Sequence, residues 1–151
     1  MADLTTSITE SVTINGSVRG STNSLTVTGI NNVFERVVTC DHSQATKIAI
    51  FAAEPHTTNG AIDVNNVRYI RITNLDANGA LTLSVQTTNT NFIQRLTPAT
   101  SYVLARAEAV VIGEEDPDAA IGATLENVTA LIIMPEGTTY NPDVELFIAS
   151  V

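Results

Sequence analysis

Apolar and polar residues alternate along most of this chain with a period of two, the repeat of a strand that buries one face. Ile8, Val12 and Ile14 fall on one face and run into Asn15-Gly16. That dipeptide readily takes the positive φ angles of a two-residue type I′ hairpin. Val18 opens the return strand, Leu25 and Val27 continue it, and Gly29 closes it. From Val33 to Cys40 the residues Phe34, Arg36, Val38 and Cys40 alternate with Val33, Glu35, Val37 and Thr39. Ile48, Ile50 and Ala52 then oppose Lys47, Ala49 and Phe51 as far as Glu54-Pro55, where proline cannot donate to a ladder. A loop through Asn59-Gly60 follows.

The clearest hairpin signal comes next. Val67, Tyr69 and Arg71 alternate with Arg68, Ile70 and Ile72, Asn74 to Gly79 supplies a turn, and Leu81, Leu83 and Val85 alternate with Thr82, Ser84 and Gln86. Further strands are predicted at Asn91–Leu96, Tyr102–Ile112, Thr129–Met134 and Val144–Ala149. The segment Ser101–Val111 also carries good helix formers and a possible Ser101 cap. Pro98 and the all-β surroundings favour the strand. Short strands at a spacing of about 8–12 residues, with turn signals between them, predict a sandwich or barrel and not βαβ units. No linker, charge block or internal repeat divides the chain, so residues 1–151 are expected to form a single domain. The fold class expected is all-β: an antiparallel, jelly-roll-like β-sandwich.

Composition changes the picture at the surface. Hydrophobic residues make up 44% of the chain, enough for a core, but charged residues reach only 15%. About 25% is typical. A single lysine, Lys47, stands against six arginines, and threonine, asparagine and serine fill the polar positions. Lysine is depleted and arginine enriched where proteins meet, so the composition leans towards a contact surface. A net charge of −9 without a basic cluster argues against a nucleic-acid partner and against anionic membranes. No apolar run reaches the 18 residues of a membrane span. The start, Met1-Ala2-Asp3-Leu4-Thr5, lacks the basic and apolar regions of a signal peptide.

Candidate chemistry fails mainly by spacing and by count. Cys40-Asp41-His42-Ser43 holds every residue type of a nucleophilic site. On a strand, however, Cys40 and Asp41 point to opposite faces, and only His56 remains as an outside base. The tetrapeptide reads as the end of a strand followed by a polar turn, with Cys40 a buried, inert thiol. One cysteine and two histidines leave too few ligands for a closed zinc site. Glu114-Glu115-Asp116-Pro117-Asp118 concentrates carboxylates of the kind calcium prefers, but in no EF-hand spacing, and reads as a solvated acidic loop. No phosphate-cradling glycine loop is present, and the absence of tryptophan weakens a sugar-stacking site. No catalytic, cofactor-binding or metal site is expected, and no cofactor.

The run Arg68-Tyr69-Ile70-Arg71-Ile72-Thr73-Asn74-Leu75-Asp76, then Leu81–Val85, Phe92–Pro98 and Ser101–Leu104, resembles β-rich virion structural proteins of tailed bacteriophages. The likeness is to small capsid decoration, or cement, proteins and to tail-associated proteins, and it spans about residues 67–104. It implies a non-enzymatic cement protein on the virion capsid surface that bridges capsomers. The partners implied are the major capsid protein and further copies of the chain, as a homotrimer, with Arg19, Arg36 and Arg95 as candidate anchors. A tail, neck or fibre component is the second expectation, a receptor- or glycan-binding module the third, and a hydrolase the last.

Overall fold

The computed structural model describes residues 1–110 and 125–151. Among them the regular structure is nearly all strand: β1 (Ala2–Thr9), β2 (Val12–Ile14), β3 (Ser17–Arg19), β4 (Thr22–Ile30), β5 (Asn32–Thr39), β6 (Thr46–Ala52), β7 (Ile62–Asp63), β8 (Val67–Asn74), β9 (Leu81–Gln86), β10 (Asn91–Leu96), β11 (Ser101–Leu104), β12 (Ala130–Pro135) and β13 (Asp143–Ser150). One 3-10 turn, Pro55–Thr57, interrupts them.

Two sheets make the body. The first runs β11-β8-β13-β5 and the second β10-β9-β12-β6-β7. All pairs are antiparallel except β6 with the two-residue β7. The alternation seen in the sequence is the pleat of these sheets. In β9, Leu81, Leu83 and Val85 are buried while Thr82, Ser84 and Gln86 are half-buried. In β13, Val144, Leu146 and Ile148 point inwards. Ile70, Ile72, Leu146 and Ile148 of the first sheet and Leu81, Leu83, Leu131 and Ile133 of the second belong to one fully buried cluster. The molecule is an all-β sandwich.

The chain changes sheet at almost every step from β5 onwards, and this corrects the expected hairpin. β8 and β9 do not pair: β8 lies between β11 and β13, and β9 between β10 and β12. The turn from Asn74 to Gly79 is an arch that carries the chain from one sheet to the other. It is held from inside. The buried Asn74 amide donates to the carbonyls of Gly79 (2.8 Å) and Leu96 (3.2 Å), and its Oδ1 accepts from the Asp76 N–H (3.0 Å). A strand pattern is the same whether the next strand lies beside it or across the core, so alternation alone mistook an arch for a hairpin.

Asp76 caps the same arch. Its Oδ1 accepts the N–H groups of Asn78 (2.6 Å) and Gly79 (2.9 Å), and these bonds hold the carboxyl below the usual carboxylate range. A depressed carboxyl stabilises the fold above its unfolded pKa, and that contribution is lost as pH falls through the folded pKa. Asp76→Asn is therefore expected to be less stable than the parent near neutrality, with the gap closing on acidification, read by denaturant unfolding at a series of pH values. A gap that persists unchanged below the ordinary carboxylate pKa of about 4 would refute this.

The strand expected over Tyr102–Ile112 stops at Leu104, and its last two residues lie outside the described ones. Beyond Leu104 the backbone leaves the ladder. Ala109 takes a positive φ of 50° and donates its N–H to Asn127 Oδ1 (2.9 Å), while Ala107, fully buried, accepts from the Val128 N–H (2.9 Å).

The first thirty residues stand apart from the sandwich. β1 pairs only with β4, and β2 only with β3. Leu4 faces Val27, Thr9 faces Thr22 and Ile14 faces Ser17, so one register runs through all four strands. Asn15 and Gly16, at φ 51° and 77°, close the tip as the expected hairpin. Midway, Gly20 is at φ 130°, and a Cβ there would lie 2.0 Å from the Glu10 carbonyl oxygen, so only glycine fits.

Candidate functional site

The reactive side chains named from the sequence are held by partners of other kinds. Cys40 is completely buried, and burial pushes its thiol above the ordinary value; a hydrogen bond with Thr46 partly opposes this. Asp41 accepts the Ser43 N–H (3.0 Å) and hydroxyl (2.9 Å), which lowers its pKa, and the same Oδ1 lies 3.6 Å from His42 Nδ1. His42 donates its backbone N–H to Asn141 Oδ1 (2.9 Å) and holds its Nδ1 2.7 Å from the same oxygen. The segment is a polar turn. His56 sits in the 3-10 turn that follows β6, whereas Cys40 lies beside Thr46, where β6 begins. The length of β6, roughly 20 Å, separates the two. Among the described residues no three His, Cys, Asp or Glu side chains are grouped to hold a metal ion. The acidic run Glu114–Asp118 lies outside the described residues.

What the structure offers instead is an arm. The register of β1–β4 puts Leu4, Ile8, Val12, Ile14, Leu25 and Val27 on one face of a two-stranded ribbon. The other face carries Thr5, Ser7, Thr9, Thr22, Ser24 and Thr26 in directly opposed pairs. Ser7 and Ser24 bond hydroxyl to hydroxyl at 2.8 Å, and Thr9 and Thr22 at 3.1 Å. From Leu4 to Ile14 the ribbon extends about 35 Å at the usual strand rise. Only its base is docked. Leu4, Val27 and Ile30 cluster with Tyr69, Phe147, Ala149 and Val151 on the outer face of the first sheet. Every residue from Ser7 to Thr26 is exposed, including Ile8, Val12, Ile14 and Leu25 at half their area or more.

A second apolar strip lies next to the arm base. β5 is the edge of the first sheet, paired only with β13. Seven of its eight residues are exposed, among them Val33 (48%), Val37 (56%) and Phe34 (36%). Ala149 is the register partner of Val33, so the valines of β5 continue the outer face that the arm base already covers. At the start of β5 a shallow cleft of about 610 Å³ opens between Asn31–Phe34 and the Gly60–Asp63 loop.

The three candidate arginines separate. Arg95 is committed within the chain: its Nε lies 2.9 Å from both carboxylate oxygens of Glu136 and its Nη2 lies 2.7 Å from one of them. Arg19 lies on the apolar face of the arm opposite Val12, and Arg36 lies on β5 with its guanidinium 6.0 Å from the Phe34 ring centroid. Neither has an ion-pair partner among the described residues. Sequence reasoning passed over Arg71, which pairs with Glu145 at 2.6 Å beside Phe147 on the outer face of the first sheet. It also passed over the arm as a unit. The signal was present: serine or threonine at every odd position from Thr5 to Thr13, interleaved with Leu4, Ile8, Val12 and Ile14.

The chain matches no protein-family model, and no curated protein or solved structure is significantly similar to it.

Proposed function

We propose that this chain is a non-enzymatic virion structural protein, a decoration or cement protein that stabilises a phage head by bridging capsomers. Its partners on this reading are the major capsid protein and other copies of itself, assembled as a trimer on the capsid surface. The observation that carries the proposal is the arm, an apolar-faced ribbon whose residues Ser7 to Thr26 find no cover in their own chain. An isolated two-stranded ribbon is marginal in water, and a surface that exposes isoleucine, valine and leucine in a row is typical of a docking element.

The sandwich supports the same reading. Setting β7 aside, the strand orders are β5-β13-β8-β11 and β6-β12-β9-β10. We infer that this is the jelly-roll order, eight strands in two interleaved Greek keys, an architecture found in viral capsid proteins. The low charge content and the shortage of lysine fit a molecule that meets other proteins over much of its surface.

A tail, neck or fibre component would use the same arm, and copy number separates it from a cement protein. Quantitative mass spectrometry of purified particles is expected to give hundreds of copies per particle. Tens of copies would move the chain to the tail or neck, and its absence from particles would overturn both readings. A glycan-binding module is less well supported, because Phe92, one of the few exposed rings, is already stacked on Tyr102 at 6.1 Å.

A further inference from the structure

The apolar face of the arm and the outer face of β5, which carries Val33 and Val37, are both exposed and both part of every copy. We infer that the arm of one copy packs, apolar face down, along the outer face of β5 in a second copy, and that copies join head to tail into a closed ring. The inference rests on the self-association contained in the proposed function and names the surfaces that carry it.

Two observations point to a second copy as the occupant. The first is continuity. On the outer face of the first sheet the arm's own base already covers Tyr69, Phe147 and Ala149, and Val33, the register partner of Ala149, begins the strip left open beside it. A neighbour's arm would extend a contact the fold already makes with the same residue types.

The second is charge. Arg19 lies on the apolar face of the arm opposite Val12, and Glu35 lies between Val33 and Val37 on the outer face of β5, opposite Phe147. Neither is ion-paired among the described residues, so docking brings a base to an acid. A copy of this chain, with few cations to offer, meets that requirement from residues in place.

The test uses the full chain. Val12→Cys bearing an affinity tag is mixed with untagged Val37→Cys and treated with a short bismaleimide. Cys40 is completely buried and does not compete. The expected product is a covalent pair of one tagged and one untagged chain. A product formed only between Val12→Cys chains would mean that arms pack on arms, and would overturn the inference. So would the absence of any cross-link.

Light scattering supplies the second readout. Ile8→Ser with Ile14→Ser, and separately Val33→Ser with Val37→Ser, are each expected to weaken association at least tenfold. Val18→Ser, on the opposite face of the tip, should leave it unchanged. Because all these side chains are exposed, thermal unfolding at a concentration where parent and variants are all monomeric should coincide, so lost association is not lost folding. Assembly unaffected by both apolar double variants would also overturn the inference. Binding to empty heads is scored separately. A ring that forms but leaves heads undecorated sinks the cement reading and keeps this one. A monomer that decorates heads does the reverse.

Discussion

Leu146→Ala is expected to lower the unfolding free energy by about 2–5 kcal/mol, measured by urea or guanidinium denaturation. Leu146 is fully buried on β13, a central strand of the first sheet, with Ile72 as its register partner on β8 and Arg36 on β5. Its side chain belongs to the cluster that joins Ile72 and Ile148 to Leu83 and Ile133 of the facing sheet. Truncation removes buried methyl groups and leaves a cavity that neighbours on paired strands can close only in part. Against a typical total of about 5–15 kcal/mol, that is a large share of the stability. The same truncation at Ile8, 57% exposed on the arm, should stay within about 0.5 kcal/mol. A loss below 1 kcal/mol at Leu146 would mean that the two sheets do not close on one another as described.

The other large effect belongs to a polar residue. Asn74→Ala is expected to cost about 2–5 kcal/mol, since it strands the carbonyls of Gly79 and Leu96 and the N–H of Asp76, at about 1–3 kcal/mol for each buried group left unpaired. The costs do not simply add, because the three groups belong to one network. Asn74 closes β8, Gly79 ends the arch and Leu96 closes β10, so one side chain ties the ends of strands in both sheets. Amide hydrogen exchange should localise the damage to the arch and to the ends of β8 and β10. Uniform loss of protection across the whole sandwich would show that Asn74 is not a local tie.

These two positions mark where stability resides, and neither is where contact is proposed. The core and the arch lie in the sandwich, while the arm and the outer face of β5 are exposed and can change with little effect on folding. Such a division suits a structural protein whose docking surfaces are shaped by partners while its body holds alone. The thiol, the acid and the two histidines each serve the interior or a turn, and the surface that stands out consists of aliphatic and hydroxyl side chains.

The sequence by itself determined the strands, because a side chain on a pleated backbone changes face at each residue and the period of two is written in the residue types. It determined the tip of the arm, since Asn15-Gly16 suits positive φ angles that most residues resist. It also determined the burial of Cys40 and the polar turn after it. Only the tertiary structure decided what each strand lies against. It set β8 and β9 in opposite sheets, ended β11 at Leu104 and carried the Asn74 amide into the interior. It left Leu4–Val27 standing out as an arm and kept both faces of β5 largely open. The reason is physical: alternation records that one face of a strand avoids water, but whether the cover is a neighbouring strand, the opposite sheet or another molecule depends on contacts between residues distant in sequence.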